Sequence, residues 1–333
     1  MDESEWFRTL GPPASPQCLA DLASVAAMQC GLVTRRQCLA AGLSSKAIQV
    51  RLANGRWRRI QHGVYLTTPG RADWWMEAVA AHLAAGPDAA WSHRTAAFVW
   101  GLLPSPPSTI ELLVPRDFAV RQPRGTTVRR STYLDRRVDQ LWWPWVTTAE
   151  DTILDLAETV DTDEVFALLG RAFQRQRTSE AVLLSRLAER VRHPRRRLLG
   201  DVLGDVASGA ESAMEVRYLR DVERAHGLPR GQRQAGVTPT SAARHDVGYR
   251  EQKVLVELDG DLGHEGRAAR ISDGRRDRRG AVSGWLTLRA FWPDVAVTPC
   301  HLAVEVGEVL RTRGWRDREH PCRRRACVVS TGR

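Results

Sequence analysis

The segment Val254-Leu255-Val256-Glu257-Leu258-Asp259-Gly260 constrains this chain more than any other. A short apolar run bounded by turn residues reads as a buried strand, and a carboxylate inside such a run is costly unless it is paired or metal-bound. Just upstream, Arg244-His245-Asp246 opens a second short apolar run. Read as adjacent strands, the two runs deliver Asp246 and Glu257 to one sheet edge, where a divalent cation could be held. Taken singly, Asp246 beside Arg244 also fits a strand-end ion pair, and Asp259-Gly260 also fits a turn.

The chain has 333 residues, enough for two or three domains. Its formal net charge of +10 and pI of about 10.0 favour polyanionic partners, because cations that neutralise phosphates release condensed counterions. Lys46 and Lys253 are the only lysines, so the charge is arginine, whose planar fork suits phosphate and guanine. A GC-rich coding bias produces the same preference. The start, Met1-Asp2-Glu3-Ser4-Glu5, is acidic without an apolar run, and no segment is long and apolar enough to span a bilayer. Cytoplasmic residence is the expectation, with neither membrane nor small-molecule cofactor as a partner. Six cysteines in that compartment read as free thiols or metal ligands rather than a disulfide framework.

Residues 16–70 predict three helices and a hairpin. Leu19 to Met28 is Ala-rich and apolar; Thr34 caps a second helix through Ala41, closed by Gly42; Ser44 caps a third, Ser45 to Asn54, stopped by Gly55. Trp57 to Ile60 and Gly63 to Leu66 alternate as a small hairpin does. Three helices with a hairpin appended make a winged helix-turn-helix. Its third helix carries Lys46, Gln49 and Arg51, and its wing Arg56, Arg58 and Arg59, an arrangement that places a helix in the major groove and arginines along phosphates. A winged helix used for protein contact, with a solvated charged face, is the other reading.

This stretch resembles the N-terminal domain of AbiEi-type antitoxins, the autorepressor partners in type IV toxin-antitoxin systems. The resemblance rests on Gly31-Leu32-Val33-Thr34, Ala41-Gly42-Leu43-Ser44, Trp57-Arg58-Arg59-Ile60 and Gly63-Val64-Tyr65. It implies DNA as partner, with the chain's own promoter or a cognate toxin as further candidates. Residues 71–200 form an α+β middle region, with helices at Asp73 to Ala85, Ser92 to Leu102, Thr147 onward and Asp163 to Arg175, and strands at Thr109 to Val114 and Thr126 to Ser131. It too looks like the middle part of AbiEi-like proteins. Packing or capping explains its His93 and Asp155 better than catalysis does. The basic segment Arg190 to Arg197 reads as a solvated linker or a phosphate contact.

Residues 205–313 predict a helix from Ala210 to His226 ended by Gly227, strands through Gln232 to Val237, Asp246 and Glu257, an Arg-rich helix from about Glu265 to Ser283, and a strand Trp285 to Phe291. The order is helix, three strands, helix, strand. With Glu215 on the first helix, this layout resembles the PD-(D/E)XK restriction-endonuclease-like α/β sandwich, in its very-short-patch-repair-like branch, and within it actinobacterial proteins that fuse this domain behind an AbiEi-like region. The residues carrying it are Ser212 with Glu215, Asp246, Val256-Glu257-Leu258-Asp259-Gly260, Gly263-His264-Glu265-Gly266, Asp273 with Arg276-Asp277, and Leu288-Arg289 with Trp292. The fold class expected overall is thus multidomain α/β.

The resemblance implies metal-dependent cleavage of DNA, and phosphodiester hydrolysis makes matching demands: a hard cation to neutralise phosphoryl charge and oxygen ligands on rigid strands, which suits Mg²⁺. Asp246 and Glu257 are the expected ligands, with the Leu258 carbonyl beside them. Glu215 would orient the attacking water or bind a second ion, His264 would pass a proton to the leaving oxygen, and Arg276 and Arg289 would meet phosphate charge. This chain has Asp259 where the motif ends in lysine, and Lys253 sits at the wrong end of its strand. It also has Arg278 and Phe291 where relatives show asparagine and glycine. A DNA-binding regulator with an inactive nuclease-like domain therefore stays open beside the enzyme. In the basic tail, residues 314–333, His320, Cys322 and Cys327 with Cys300 and His301 match no standard zinc spacing, and free thiols on a disordered tail are the expectation.

Overall fold

A computed structural model of the chain describes residues 21–68, 70–207, 210–235, 245–259, 278, 280–324 and 327–329. The chain divides into two compact units, Met1–Thr159 and Val160–Arg333. The sequence-defined middle region, 71–200, is thus shared between them. No helix among the described residues is long and apolar enough to cross a membrane.

The N-terminal unit opens with helix α1 (Leu22–Met28), strand β1 (Leu32–Thr34), helices α2 (Arg35–Ala40) and α3 (Ser45–Ala53), and strands β2 (Arg58–Gln61) and β3 (Val64–Leu66). Asp21 caps α1, so the helix starts later than the Leu19 expected. Thr34 and Gln37 close a reciprocal capping box on α2, and Ser44 Oγ accepts the Ala47 N–H of α3, each worth about 1 kcal/mol. The strand β1 was not expected; it pairs antiparallel with β3, making a sheet of order β1-β3-β2. Ala26, Val33, Cys38, Ile48 and Tyr65 form the core, with Leu22, Leu43, Leu52 and Trp57 packed on it. This is the helix and strand order of a winged helix.

The rest of the unit is helix α4 (Trp74–Ala85), β4 (Ala90–Trp91), helix α5 (His93–Val99), β5 (Ile110–Pro115), β6 (Thr126–Ser131), β7 (Val138–Asp139), β8 (Trp145–Thr147) and helix α6 (Ala149–Ala157). Its five strands order as β6-β5-β4-β8-β7, with β5–β6 and β4–β8 parallel. The side-chain amide of Gln61 joins the wing to the turn before β6: it donates to the Arg124 carbonyl at 2.9 Å and accepts the Arg124 N–H at 2.9 Å. Buried Asp151 and Asp155 on α6 both face Arg137, whose Nε lies 3.2 Å from Asp151 Oδ1 and whose Nη2 pairs with Asp155. Asp155 is therefore held by an ion pair, while His93 is buried with Nδ1 3.1 Å from Ser92 Oγ.

In the C-terminal unit, helices α7 (Thr162–Gln174), α8 (Glu180–Glu189) and α9 (Arg196–Ala207) precede helix α10 (Ala210–Arg217). The basic segment expected as a linker lies between α8 and α9 and runs into the latter. The turns of α10 widen into a π-helix over Tyr218–Arg224, and Gly227, at φ +67°, ends the run. Then come β9 (Gln232–Ala235), β10 (His245–Tyr249), β11 (Val254–Asp259), β12 (Leu286–Phe291), and helices α11 (Trp292–Ala296) and α12 (Pro299–Thr312). The sheet orders as β12-β11-β10-β9; β9, β10 and β11 run antiparallel and β12 parallel to β11. Most of the expected Arg-rich helix lies outside the described residues. One sheet face carries Tyr249 and Arg233, which meet Glu223 and Tyr218 of the π-helix in a buried polar network. Phe166 of α7 stacks on Trp292 with ring centroids 5.6 Å apart.

Candidate functional site

On the winged helix, α3 exposes Lys46 and Gln49 while Ile48 faces the core. Arg58 and Arg59 are exposed on β2, opposite Leu66 and Tyr65 of β3. Arg51 departs from the expected outward reach: its Nη1 donates to the Ala47 carbonyl at 3.1 Å and its guanidinium lies 5.4 Å from the Trp57 ring centre. It braces the helix against the wing. Arg35 Nη2 donates to Ser45 Oγ at 2.7 Å, fixing the start of α2 to the start of α3. Beside the wing, Arg59, His62, Arg121 and Arg124 line a cleft that continues the basic surface onto the loop between β5 and β6. Arg121 and Arg124 were not singled out from sequence, because nothing local ties them to the wing.

In the C-terminal unit the register of β10 on β11 pairs Val247 with Val256, Gly248 with Leu255 and Tyr249 with Val254. Asp246 and Glu257 each lie one residue beyond the Val247–Val256 pair, so continuing the same register would set them opposite one another. Cross-strand partners share a sheet face, and side chains two apart along a strand do too, so Asp259 joins them. The parallel register pairs Glu257 with Arg289, bringing that arginine to the same face. Asp246, Glu257, Asp259 and Arg289 are all half-buried. Asp246 Oδ2 accepts the Leu258 N–H at 2.6 Å. Asp259 continues β11 rather than starting a turn.

Glu215 is half-buried on α10, which packs on β11. Glu215, Asp246 and Glu257 are not gathered as tightly as a closed metal site requires. Among the described residues, one set of three or more His, Cys, Asp or Glu brings its ligand atoms within 4.8 Å of one another, and it is His226, Cys300, Cys322 and Cys327. His264 and Arg276 lie outside the described residues.

That thiol set corrects the expectation of a disordered tail. The described tail residues fold back on α12: Trp315 is buried, and Glu319 pairs with Arg311. The Cys300 and Cys322 sulfurs stand 3.7 Å apart, well beyond the S–S bond of about 2.05 Å. Burial, and after it the neighbouring thiols, push the Cys300 thiol up to about 12. His226 was read from sequence only as the last residue of a helix, because nothing local links it to cysteines more than seventy positions away.

Residues 21–68 match a protein family described as "Transcriptional regulator, AbiEi antitoxin". No curated protein matches the chain. The similarity covers the winged helix and leaves the remainder of both units to be understood from their own residues.

Proposed function

We propose that the chain is a DNA-binding regulator whose winged helix positions a metal-dependent phosphodiester hydrolase domain on DNA. The first half is supported by the similarity of residues 21–68 to AbiEi antitoxin transcriptional regulators, joined to an exposed polar α3 and an arginine wing. Lys46, Arg58 and Arg59 neutralise phosphates, and Gln49 reads a base edge. The net charge of +10 supplies the long-range attraction.

The second half is supported by Asp246 and Glu257 lying on neighbouring antiparallel strands, each one residue beyond the Val247–Val256 pair, within a helix, three-strand, strand order that resembles the PD-(D/E)XK nucleases. Carboxylates from two neighbouring strands, with waters filling the remaining positions, are the hard oxygen donors that Mg²⁺ takes. Bound there, Mg²⁺ would neutralise phosphoryl charge and acidify a water. The Leu258 N–H holds the Asp246 carboxylate in place. Arg289, in register with Glu257, binds a phosphate oxygen at the same face. Glu215 orients water from α10.

The test is relaxation of supercoiled plasmid with Mg²⁺ by the wild type, Asp246→Ala and Glu257→Ala. Cutting by the wild type alone is the expected result; equal cutting by all three removes the hydrolase assignment.

A second reading is favoured by Asp259 at the position where the motif has lysine. It is an AbiEi-type autorepressor with an inactive nuclease-like domain, whose partners are its own promoter and a cognate toxin. Promoter binding without metal-dependent cutting selects it.

A further inference from the structure

His226 lies two residues past the π-helix, Cys300 is in the first turn of α12, and Cys322 and Cys327 lie in the tail that follows α12. These three places in the sequence converge so that one Nε2 or Nδ1 and three Sγ atoms lie within 4.8 Å of one another. Such a set is what a four-coordinate soft-to-borderline cation selects. Zn–S bonds of about 2.3 Å in a tetrahedron place sulfurs about 3.8 Å apart. The Cys300 to Cys322 separation is 3.7 Å.

The histidine is prepared as a ligand. His226 is 0 % exposed, and its Nδ1 lies 3.0 Å from the His320 carbonyl oxygen, which can only accept. Nδ1 therefore carries the proton, leaving Nε2 with the lone pair. That Nε2 is buried and has no hydrogen-bond partner. A carbonyl that fixes the ring tautomer is the usual outer support of a metal-bound histidine.

The thiols have matching support. Cys327 Sγ accepts the Cys322 N–H at 3.4 Å, and Cys322 Sγ accepts the Arg324 N–H at 3.4 Å, bonds that favour thiolate. Cys300 sits in the first turn of the fourteen-residue α12, at the positive end of its dipole. The tail is seated by further contacts. The His320 N–H donates to the His226 carbonyl at 3.0 Å, and Arg324 pairs with Asp221 at 3.4 Å. The His320 ring fills the space over Gly227, where an added Cβ would stand 2.6 Å from it.

We propose that His226, Cys300, Cys322 and Cys327 form a closed structural Zn²⁺ site that clasps the C-terminal tail to the α10–α12 framework. Binding releases three thiol protons to solvent and oxidises nothing; the neutral imidazole gives up no proton. All four positions are filled by protein, so the site has no place for substrate. It stands independently of any activity at the Asp246 face.

Full-length protein prepared without chelator is expected to carry one zinc per chain by elemental analysis. Exchange of Co²⁺ should give the intense ligand-field bands of a tetrahedral thiolate site. Cys322→Ser and Cys327→Ser, both on the tail, should weaken zinc retention about tenfold or more while far-UV circular dichroism stays unchanged. Asp246→Asn should keep its zinc. A chelator should speed proteolytic cutting between Gly314 and Val329 in the wild type but not in Cys322→Ser. The proposal is overturned by a wild type that holds no zinc and gives no tetrahedral Co²⁺ spectrum, by tail variants that retain zinc as the wild type does, or by a Cys300–Cys322 disulfide in protein prepared under reducing conditions. His226→Ala risks the fold of its helix, so the tail variants decide the matter.

Discussion

The Leu258 N–H on β11 donates to Oδ2 of Asp246 on β10 across 2.6 Å. The carboxylate is thereby pinned to the backbone of the strand that carries Glu257 and Asp259, and its position is set by main chain rather than by a mobile side chain.

Removing that acceptor leaves the Leu258 N–H without it. A hydrogen bond to a charged group is worth about 1.5–3 kcal/mol, so Asp246→Ala should lower stability by that order. Asp246→Asn keeps an acceptor oxygen and should lose less. Urea titration of the two variants checks this; identical midpoints would show that the pin carries no weight. Both variants should lose Mg²⁺-dependent cutting, which separates the metal role from the structural one.

Arg137 lies between Asp151 at 3.2 Å and Asp155, and both carboxylates are buried. Arg137→Met leaves two charges uncompensated, an expected loss of about 3–5 kcal/mol. Adding Asp151→Asn and Asp155→Asn to that variant should recover part of it. Tryptophan fluorescence during denaturation reads this unit well, since most of the tryptophans precede Thr159.

His82 is buried in α4 against Trp143, and desolvation lowers its pKa from 6.5 to about 4. The folded value lies below the free one, so the unfolded chain takes up the proton first. Stability from this source is fully present above pH 6.5 and falls as pH drops toward 4. The loss is about 3 kcal/mol over that window. His82→Gln should flatten the acid limb of the stability curve between the two values; an unchanged limb would assign it to other groups.

The exposed residues of the winged helix should act on DNA and leave the fold alone. Lys46→Ala, Arg58→Ala and Arg59→Ala are each expected to reduce the slope of log K against log salt by about 1. Gln49→Ala should relax sequence preference at one position. Arg51→Ala should behave differently, lowering the thermal midpoint through its lost Trp57 and Ala47 contacts. Fluorescence anisotropy across a salt series, paired with thermal melts, distinguishes the two classes.

The elements that sequence made legible are those with local chemistry. Thr34, Ser44 and Asp73 announce helix starts because their side chains accept N–H groups three residues on. The pairing of β10 with β11 was legible from two short apolar runs and a turn. The strands Leu32–Thr34, Ala90–Trp91 and Trp145–Thr147 escaped because two or three residues show no period, and their pairing is settled by distant partners. Arg51 looked like its neighbours Lys46 and Gln49, and only the packing of Trp57 turns it inward. His226 escaped for the same reason as the short strands: its partners lie beyond the whole sheet, and no spacing rule spans that gap.

Gln61 and Arg124 exchange two hydrogen bonds of 2.9 Å, one in each direction. A wing fastened twice to the turn before β6 has little freedom to swivel. Any displacement of that turn should carry the hairpin with it. That turn is thus a handle on the hairpin, and Gln61→Ala, which removes both bonds, should alter how firmly the wing is held without touching a single exposed arginine on it.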